Sequence, residues 1–407
     1  MTLRDSHALQ QRCIDVLKGN DRGNYTIPSP RLYPHQWAWD SAFAAIGWAH
    51  IDPNRAWIEI ETLMNGQWKD GRIPHIFFHH KSNEYFPGPE FWEVDWEAGQ
   101  STSITQPPVW ATAARRLFEI TGDRDRLAPL LPKMDASHRF FFEQRDPKRV
   151  GCVAVVHPWE SGLDNCPVWD GPLSRVDISN PPEFKRVDAD IVEDASVRPS
   201  DDEYVRYACL VKAIAKDNFG PGPFAVYDPM MTALLARAER DLAWCAKELG
   251  HASEAEERSQ ALAHGLEATL WSEEHGRFLY WDPNADERIT VDVVGGYLPL
   301  WCNIAEEKKA RLKEGLRERY ATKYQVPTTA TTDAAYKPRL YWRGPVWVNV
   351  NWMLVETFGR QLAEQTLELV EQGGIREYFH PETAEGLGGE EFAWTAALTL
   401  DLLSRFG

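Results

Sequence analysis

Four stretches of the chain set acidic residues beside aromatic rings, a combination suited to carbohydrate chemistry. Cleaving a glycosidic bond takes two carboxyl groups, one still protonated near neutrality and one ionised. An apolar aromatic wall raises a carboxyl pKa because it disfavours the charged form. Sugar rings stack their C–H faces on aromatics while their hydroxyls seek polar partners.

The first stretch is Tyr33-Pro34-His35-Gln36-Trp37-Ala38-Trp39-Asp40, ahead of a helix expected to begin near Ser41. Asp40 there is either a helix cap accepting free amide hydrogens or a sugar contact. A cap does not call for two Trp and a Tyr beside it, which favours the sugar. The second is Pro158-Trp159-Glu160-Ser161-Gly162-Leu163-Asp164-Asn165. Gly162 permits a sharp loop that presents an acid beside Trp159; Glu160 and Asp164 both fit the proton donor, and spacing does not choose between them. The third, Tyr341-Trp342-Arg343-Gly344-Pro345-Val346-Trp347, reads equally as a proline-started helix with a buried Trp and as a stacking platform. The fourth runs from Glu377-Tyr378-Phe379-His380-Pro381 into Gly386-Leu387-Gly388-Gly389-Glu390-Glu391-Phe392-Ala393-Trp394-Thr395. A lone loop Glu is usually solvated surface, but Glu377 lies between a helix end and a Gly-rich aromatic turn.

Composition narrows the partners. With 61 acidic and 44 basic residues the net charge of −17 repels nucleic acid and anionic membranes, and no basic patch offsets it. The nearest thing to one, KEGLRER at 313–319, alternates in sign over a helical pattern and reads as a solvated face. No signal-like apolar run opens the chain, and no run of about 18 apolar residues spans a membrane, so a soluble cytoplasmic protein is expected. Six cysteines without metal-binding spacing read as reduced thiols. Aromatic residues make up 12% of the chain, 18 of them Trp, which suits a sugar site and equally a large helical core.

Elements able to position these stretches follow from apolar periodicity. It predicts about twelve helices, at 5–19, 40–50, 53–66, 105–122, 124–144, 202–217, 227–249, 253–271, 304–318, 346–358, 360–373 and 393–405. Asp52-Pro53, Gln106-Pro107 and Asp228-Pro229 place proline in first turns, and Gly250 and Gly374 follow helix ends. Strand-like runs are short, such as Cys152–Val156 and Phe278–Trp281, and no Gly-rich phosphate loop follows them. Twelve helices in antiparallel pairs can close into a double ring with long loops at one end. Those loops are 20–39, 67–104, 145–200, 272–292 and 320–345, too long to be mere connections. One domain over 1–407 is expected, with insertions near 67–104 and 165–200.

Taken together, these motifs resemble glycoside hydrolase family 63, inverting α-glycosidases with all-helical (α/α)6 barrels related to trehalases and glucoamylases. The resemblance runs from Tyr33 to Thr395. The SGLDN loop implies Asp164, rather than Glu160, as general acid, and the glutamate opening E-x-[YF] implies Glu377 as general base. WRGPVW followed by N-x-N-W, and FAWTAA near the C-terminus, are further hallmarks. TIPSPRLYPHQWAWDSAF from Thr26 to Phe43, Gln106-Pro107-Pro108 and RPSDDEY from Arg198 to Tyr204 look closest to members that hydrolyse glucosylglycerate or mannosylglycerate.

That resemblance implies sugar contacts from Tyr33, Trp37, Trp39, Asp40, Gln106, Gly162, Tyr341 and Trp342, with Tyr85 and Arg198 nearer the aglycone. A glycerate carboxylate inside so acidic a protein needs a local cation, which Arg198 can supply through a bidentate bond. Its alternative is a salt bridge to Asp201, Asp202 or Glu203. Glu390 and Glu391 depart from a family position that often holds Gln; Glu391 is expected to touch a sugar hydroxyl, and with Glu385 and Glu390 it competes with Glu377 for the base. No metal or cofactor is required. The segment 67–104, with Tyr85-Phe86-Pro87-Gly88-Pro89, resembles a lid. Remaining alternatives are a glucosidase acting on neutral oligosaccharides, a trehalase-like enzyme and an inactive carbohydrate-binding barrel. A homo-oligomer is allowed but not required.

Overall fold

Each predicted helix is present in the computed structural model, which describes residues 3–80, 85–94, 100–191, 194–220 and 222–407. Twelve helices of eleven or more residues lie among the described residues: α1 Leu3–Asn20, α2 Ala38–Trp48, α3 Pro53–Asn65, α4 Trp110–Thr121, α5 Leu131–Gln144, α6 Asp201–Lys216, α7 Pro229–Leu249, α8 Ala255–Gly265, α9 Glu306–Arg319, α10 Val348–Phe358, α11 Arg360–Gly373 and α12 Ala393–Phe406. Asp52 and Asp228 cap α3 and α7, each accepting two amide hydrogens with proline in the first turn. Gly250 closes α7 in the left-handed conformation.

Several boundaries differ from expectation, two of them because of proline. The helix predicted from 105 begins at Trp110, because Pro107 and Pro108 bias their predecessors away from helical geometry. Residues 124–144 form a helical turn, a 3-10 turn at Ala128–Leu130 and then α5, since Pro129 and Pro132 offer no amide hydrogen to a continuous helix.

The helices pack as two rings. α12, α2, α4, α7, the 3-10 segment Leu298–Trp301 and α10 touch in that order, and α10 closes back on α12. α3 packs outside α2 and α4, α5 and α8 outside α7, α11 outside α10 and α12, and α1 outside α12. All of α2 is buried, as are Val348–Val355 of α10 and Ala393–Leu402 of α12, which explains why these inner helices show little polar face. The architecture is an (α/α)6 barrel whose sixth inner element is the short 3-10 segment, while α6 belongs to the insertion after α5.

Inner helices α2, α10 and α12 start at the loop-bearing end. At the other end one charged network ties five of the inner elements together. Buried Asp401 of α12 accepts from Arg116 of α4 at 2.8 Å and from Trp352 of α10 at 2.8 Å, and faces His50 beyond α2 at 3.2 Å. Asp241 of α7 pairs with Arg115 at 2.9 Å and Arg237 at 2.8 Å.

Among the described residues eleven short strands accompany the helices. β1 Gln36–Trp37, β2 Ile76–Phe78 and β3 Gln100–Ser101 form an antiparallel sheet with Trp37 opposite Ile76. β4 Ala154–Val155, β5 Val226–Tyr227, β8 Tyr280–Asp282 and β9 Glu287–Ile289 form a second, and β6 Trp271–Ser272 pairs with β7 Arg277–Phe278. The loop 272–292 thus carries strand residues from β6 to β9. β10 Tyr378–Phe379 and β11 Gly386–Leu387 make the hairpin that follows α11. Among the described residues no helix is long and apolar enough to cross a membrane.

Candidate active site

The loops at the N-terminal ends of the inner helices line a cavity. Asp164 and Glu377 both line it, with Tyr33, Trp37, Trp39, Asp40, Tyr85, Gln106, Gly162, Arg198, Tyr341 and Trp342. Residues from opposite ends of the sequence meet there: the Tyr33 hydroxyl donates to Glu377 Oε1 at 2.9 Å.

The acid loop is held from several directions. His157 caps the 3-10 turn Pro158–Ser161, accepting from the Trp159 amide at 3.1 Å, and Gly162 follows at φ +71°. A Cβ at Gly162 would lie 2.5 Å from the Trp39 ring, so glycine both turns the chain and lets the indole approach. Beyond it, the Tyr207 hydroxyl donates to the Asp164 carbonyl at 2.8 Å, and Asn165 Oδ1 accepts from the Trp342 amide at 3.1 Å. Burial among these groups pushes the Asp164 carboxyl up to about 8; Arg198 opposes the rise and the Glu377 charge adds to it.

Glu160 has another task. Its carboxylate is buried against Arg145, which donates at 2.7 Å, and also accepts from the Thr105 amide at 3.2 Å and the Val156 amide at 3.1 Å. It does not line the cavity, whereas Asp164 does.

Glu377 precedes β10 and is 1% exposed. Its Oε2 accepts from the Gly389 amide at 2.8 Å, its Oε1 from Tyr33, and Arg198 Nη1 lies 3.5 Å from Oε1. All of these bonds are accepted ones, which suits a carboxylate. A Cβ at Gly388 would stand 2.4 Å from Oε2, so the Gly-rich turn is shaped around this side chain. Its competitors face elsewhere: Glu385 pairs with Arg339, Glu390 with Arg376, and both line a neighbouring groove. Glu391, expected to touch a sugar hydroxyl, is not among the residues lining this cavity. Glu391 is exposed in that same groove, because the chain adopts φ +48° at this residue and its carbonyl, accepting from Asn20 at 2.7 Å, anchors the turn.

Asp40 is no cap. α2 begins at Ala38, two residues before Asp40 and earlier than expected, and has no side-chain cap; the Gln106 side chain accepts from the Trp39 amide at 3.2 Å instead. The Asp40 carboxyl faces the cavity, where burial raises its pKa well above the usual range and the charges of Glu377 and Asp164 add to the rise.

Arg198 is buried, and its proposed salt bridges to Asp201, Asp202 or Glu203 do not form. Arg186 takes Asp201, Arg206 takes Asp202, and Glu203 closes a capping box with Ser200. Arg198 instead donates to the Tyr33 hydroxyl at 2.9 Å, faces Asp188 at 3.4 Å and lies over the Tyr341 ring at 4.3 Å.

A stack of rings links the two acid loops. Trp342 lies flat on Trp347 with centroids 3.6 Å apart, and Trp347 stacks on Tyr378, the neighbour of Glu377, at 4.7 Å. Trp39 contacts Trp342 at 6.2 Å and Trp394 edge-on at 5.1 Å. The cavity also takes His75, Phe86, Val187, Asp188, Tyr204, Phe392 and Trp394. His75 was invisible in the sequence; it lies on an irregular segment, stacked on Trp159, with burial holding its pKa well below the ordinary imidazole value. Asp188 lacked any motif, whereas Trp394 stood inside FAWTAA.

Residues 33–395 match the family described as the mannosylglycerate hydrolase MGH1-like glycoside hydrolase domain. The chain belongs to this family of glycoside hydrolases. A mannosylglycerate hydrolase of Thermus thermophilus is 43% identical over 412 residues, covering 96% of this chain and 99% of that protein. A glucosylglycerate hydrolase of Mycolicibacterium hassiacum is 34% identical, covering 97% of each. The crystal structure of the family 63 mannosylglycerate hydrolase of Thermus thermophilus in complex with Tris and D-glycerate superposes with a TM-score of 0.91 at 42% identity, over 96% of this chain and 99% of that one.

Proposed function

We propose that this glycoside hydrolase is an inverting α-glycosidase that splits mannosylglycerate or glucosylglycerate into sugar and glycerate, with Asp164 as general acid and Glu377 as general base. What carries the reading is the unequal pair of acids in one cavity. Asp164 keeps its proton near neutrality, while Glu377 makes only accepted hydrogen bonds.

In the proposed reaction Asp164 gives its proton to the glycosidic oxygen as the bond from that oxygen to the anomeric carbon breaks. A water bonds to the anomeric carbon from the opposite face and loses its proton to Glu377, so the free sugar has inverted configuration. Such a geometry needs carboxyl groups about 6.5–9.5 Å apart. Trp37, Trp39, Tyr341 and Trp342 offer ring faces, and Gln106, Tyr33 and Asp40 offer polar atoms to sugar hydroxyls; Gly162 lets Trp39 reach the acid loop. Tyr85 and Arg198 are assigned to the aglycone, whose carboxylate Arg198 would bind.

The names of the relatives support these two glycosides, and the glycerate complex of the structural neighbour supports an anionic aglycone. We read the chain as one catalytic domain, supported by ring closure within the matched span. We read 67–104 as a lid, since Tyr85 and Phe86 line the cavity; residues 81–84 and 95–99 of it lie outside the described residues.

Anomeric proton NMR of the first product from both glycosides tests the reading, together with Glu377→Gln. The expected result is the inverted anomer from wild type, and a folded variant slowed by at least about 10²–10⁴-fold. A retained anomer, or near wild-type turnover by the variant, overturns it.

A further inference from the structure

Asp188 lines the cavity but has no part in the proposed reaction. It stands on a short helical turn, Asp188–Ile191, inside the 145–200 loop. Its carboxylate is gripped by Arg186 through two bonds, of 3.1 Å to Oδ1 and 2.9 Å to Oδ2. Arg186 is fixed in turn, donating to Asp201 in the first turn of α6 at 2.7 Å and lying over the Tyr204 ring at 3.9 Å. Asp188 is therefore a carboxylate held in place by a guanidinium that has anchors of its own.

Arg198 sits between this clamp and Glu377. Its Nε is 3.4 Å from Asp188 and its Nη1 3.5 Å from Glu377, both longer than a tight ion pair, while its one short bond goes to Tyr33 at 2.9 Å. A buried guanidinium with Glu377 as its sole carboxylate neighbour would close to roughly 2.7–2.9 Å, spending its donors on that acid. Two carboxylates at different nitrogens, one clamped by Arg186, leave it poised between them.

We propose that Asp188, clamped by Arg186, is a positioning residue that holds Arg198 out of a close pair with Glu377 and keeps its N–H groups for the carboxylate of an anionic aglycone. The role rests on the proposed substrate class and adds the residue that enforces it.

The test compares the sugar–glycerate substrate with its neutral glycerol counterpart, in which CH2OH replaces the carboxylate, on wild type, Asp188→Asn and Arg186→Lys. The second variant keeps the charge, loosens the two-bonded grip and leaves Asp188 in place should Asp188→Asn fold poorly. Expected for Asp188→Asn is a rise of about tenfold in KM for the anionic substrate, clearly larger than the change for the neutral one, with kcat less affected; Arg186→Lys shifts the same ratio less. Unchanged KM ratios in both variants, or a loss confined to kcat and equal for both substrates, overturns the positioning role. A wild-type enzyme that does not distinguish the two substrates overturns the anionic-aglycone reading itself, and the role with it.

Discussion

Replacing Asp164 with Asn probes the acid and its surroundings in one experiment. The structure places its carboxyl at about 8, with burial as the main cause, Arg198 opposing and Glu377 assisting. At that value about ten of eleven molecules hold the proton at pH 7 and about one of eleven at pH 9, since each pH unit from the midpoint changes the ratio tenfold. Wild-type kcat/KM should therefore fall on an alkaline limb centred near pH 8, while the Asn variant loses about 10²–10⁴-fold in rate and shows no such limb. Stability moves too, and its sign is fixed. The folded pKa lies above the unfolded value of about 3.9, so the native state binds the extra proton between them. This group's contribution is complete below about pH 4 and is lost as pH rises through 8. Asn cannot ionise, so urea unfolding should show the variant gaining on wild type between pH 5 and pH 9. An alkaline limb centred below about pH 6, or no relative gain in stability, would refute the assignment of a buried, protonated Asp164.

Two further substitutions separate structure from chemistry. Glu160→Gln should cost roughly 3–5 kcal/mol in chemical denaturation, because it leaves Arg145 buried without its counter-charge, yet kcat per folded molecule should change far less than loss of a proton donor would bring. Gly162→Ala combines a left-handed backbone, costing about 1–2 kcal/mol, with a 2.5 Å approach to Trp39; thermal unfolding should show it less stable by a few kcal/mol, with kcat/KM reduced because the indole is displaced in the cavity. A Gly162→Ala enzyme with wild-type melting and rate would mean that Trp39 has room to spare.

Much of the scaffold was legible because its signals are local. Helical periodicity repeats every few residues, and Asp52-Pro53 or Asp228-Pro229 carries cap and first turn together. The errors came where a distant partner changed a local preference. Gln106 was read into a helix start, but its side chain serves the first turn of α2 across the site. Glu391 and Glu377 both lie beside aromatics near a Gly-rich turn, yet the backbone sends one into a side groove and the other into the cavity.

By itself the sequence determined the helical class, the long loops at one end and the presence of acids within aromatic walls, since all three follow from composition and spacing along the chain. Only the tertiary structure decided what each acid does. Glu160 and Asp164 are four residues apart on one loop, but Arg145 and two amides neutralise the first, while burial with a view of the cavity keeps the proton on the second. Arg198 and Glu377 meet across 179 positions of sequence, with Tyr33 bonded to both. A carboxyl's protonation depends on the charges and solvent around it in space, and sequence spacing does not carry that information.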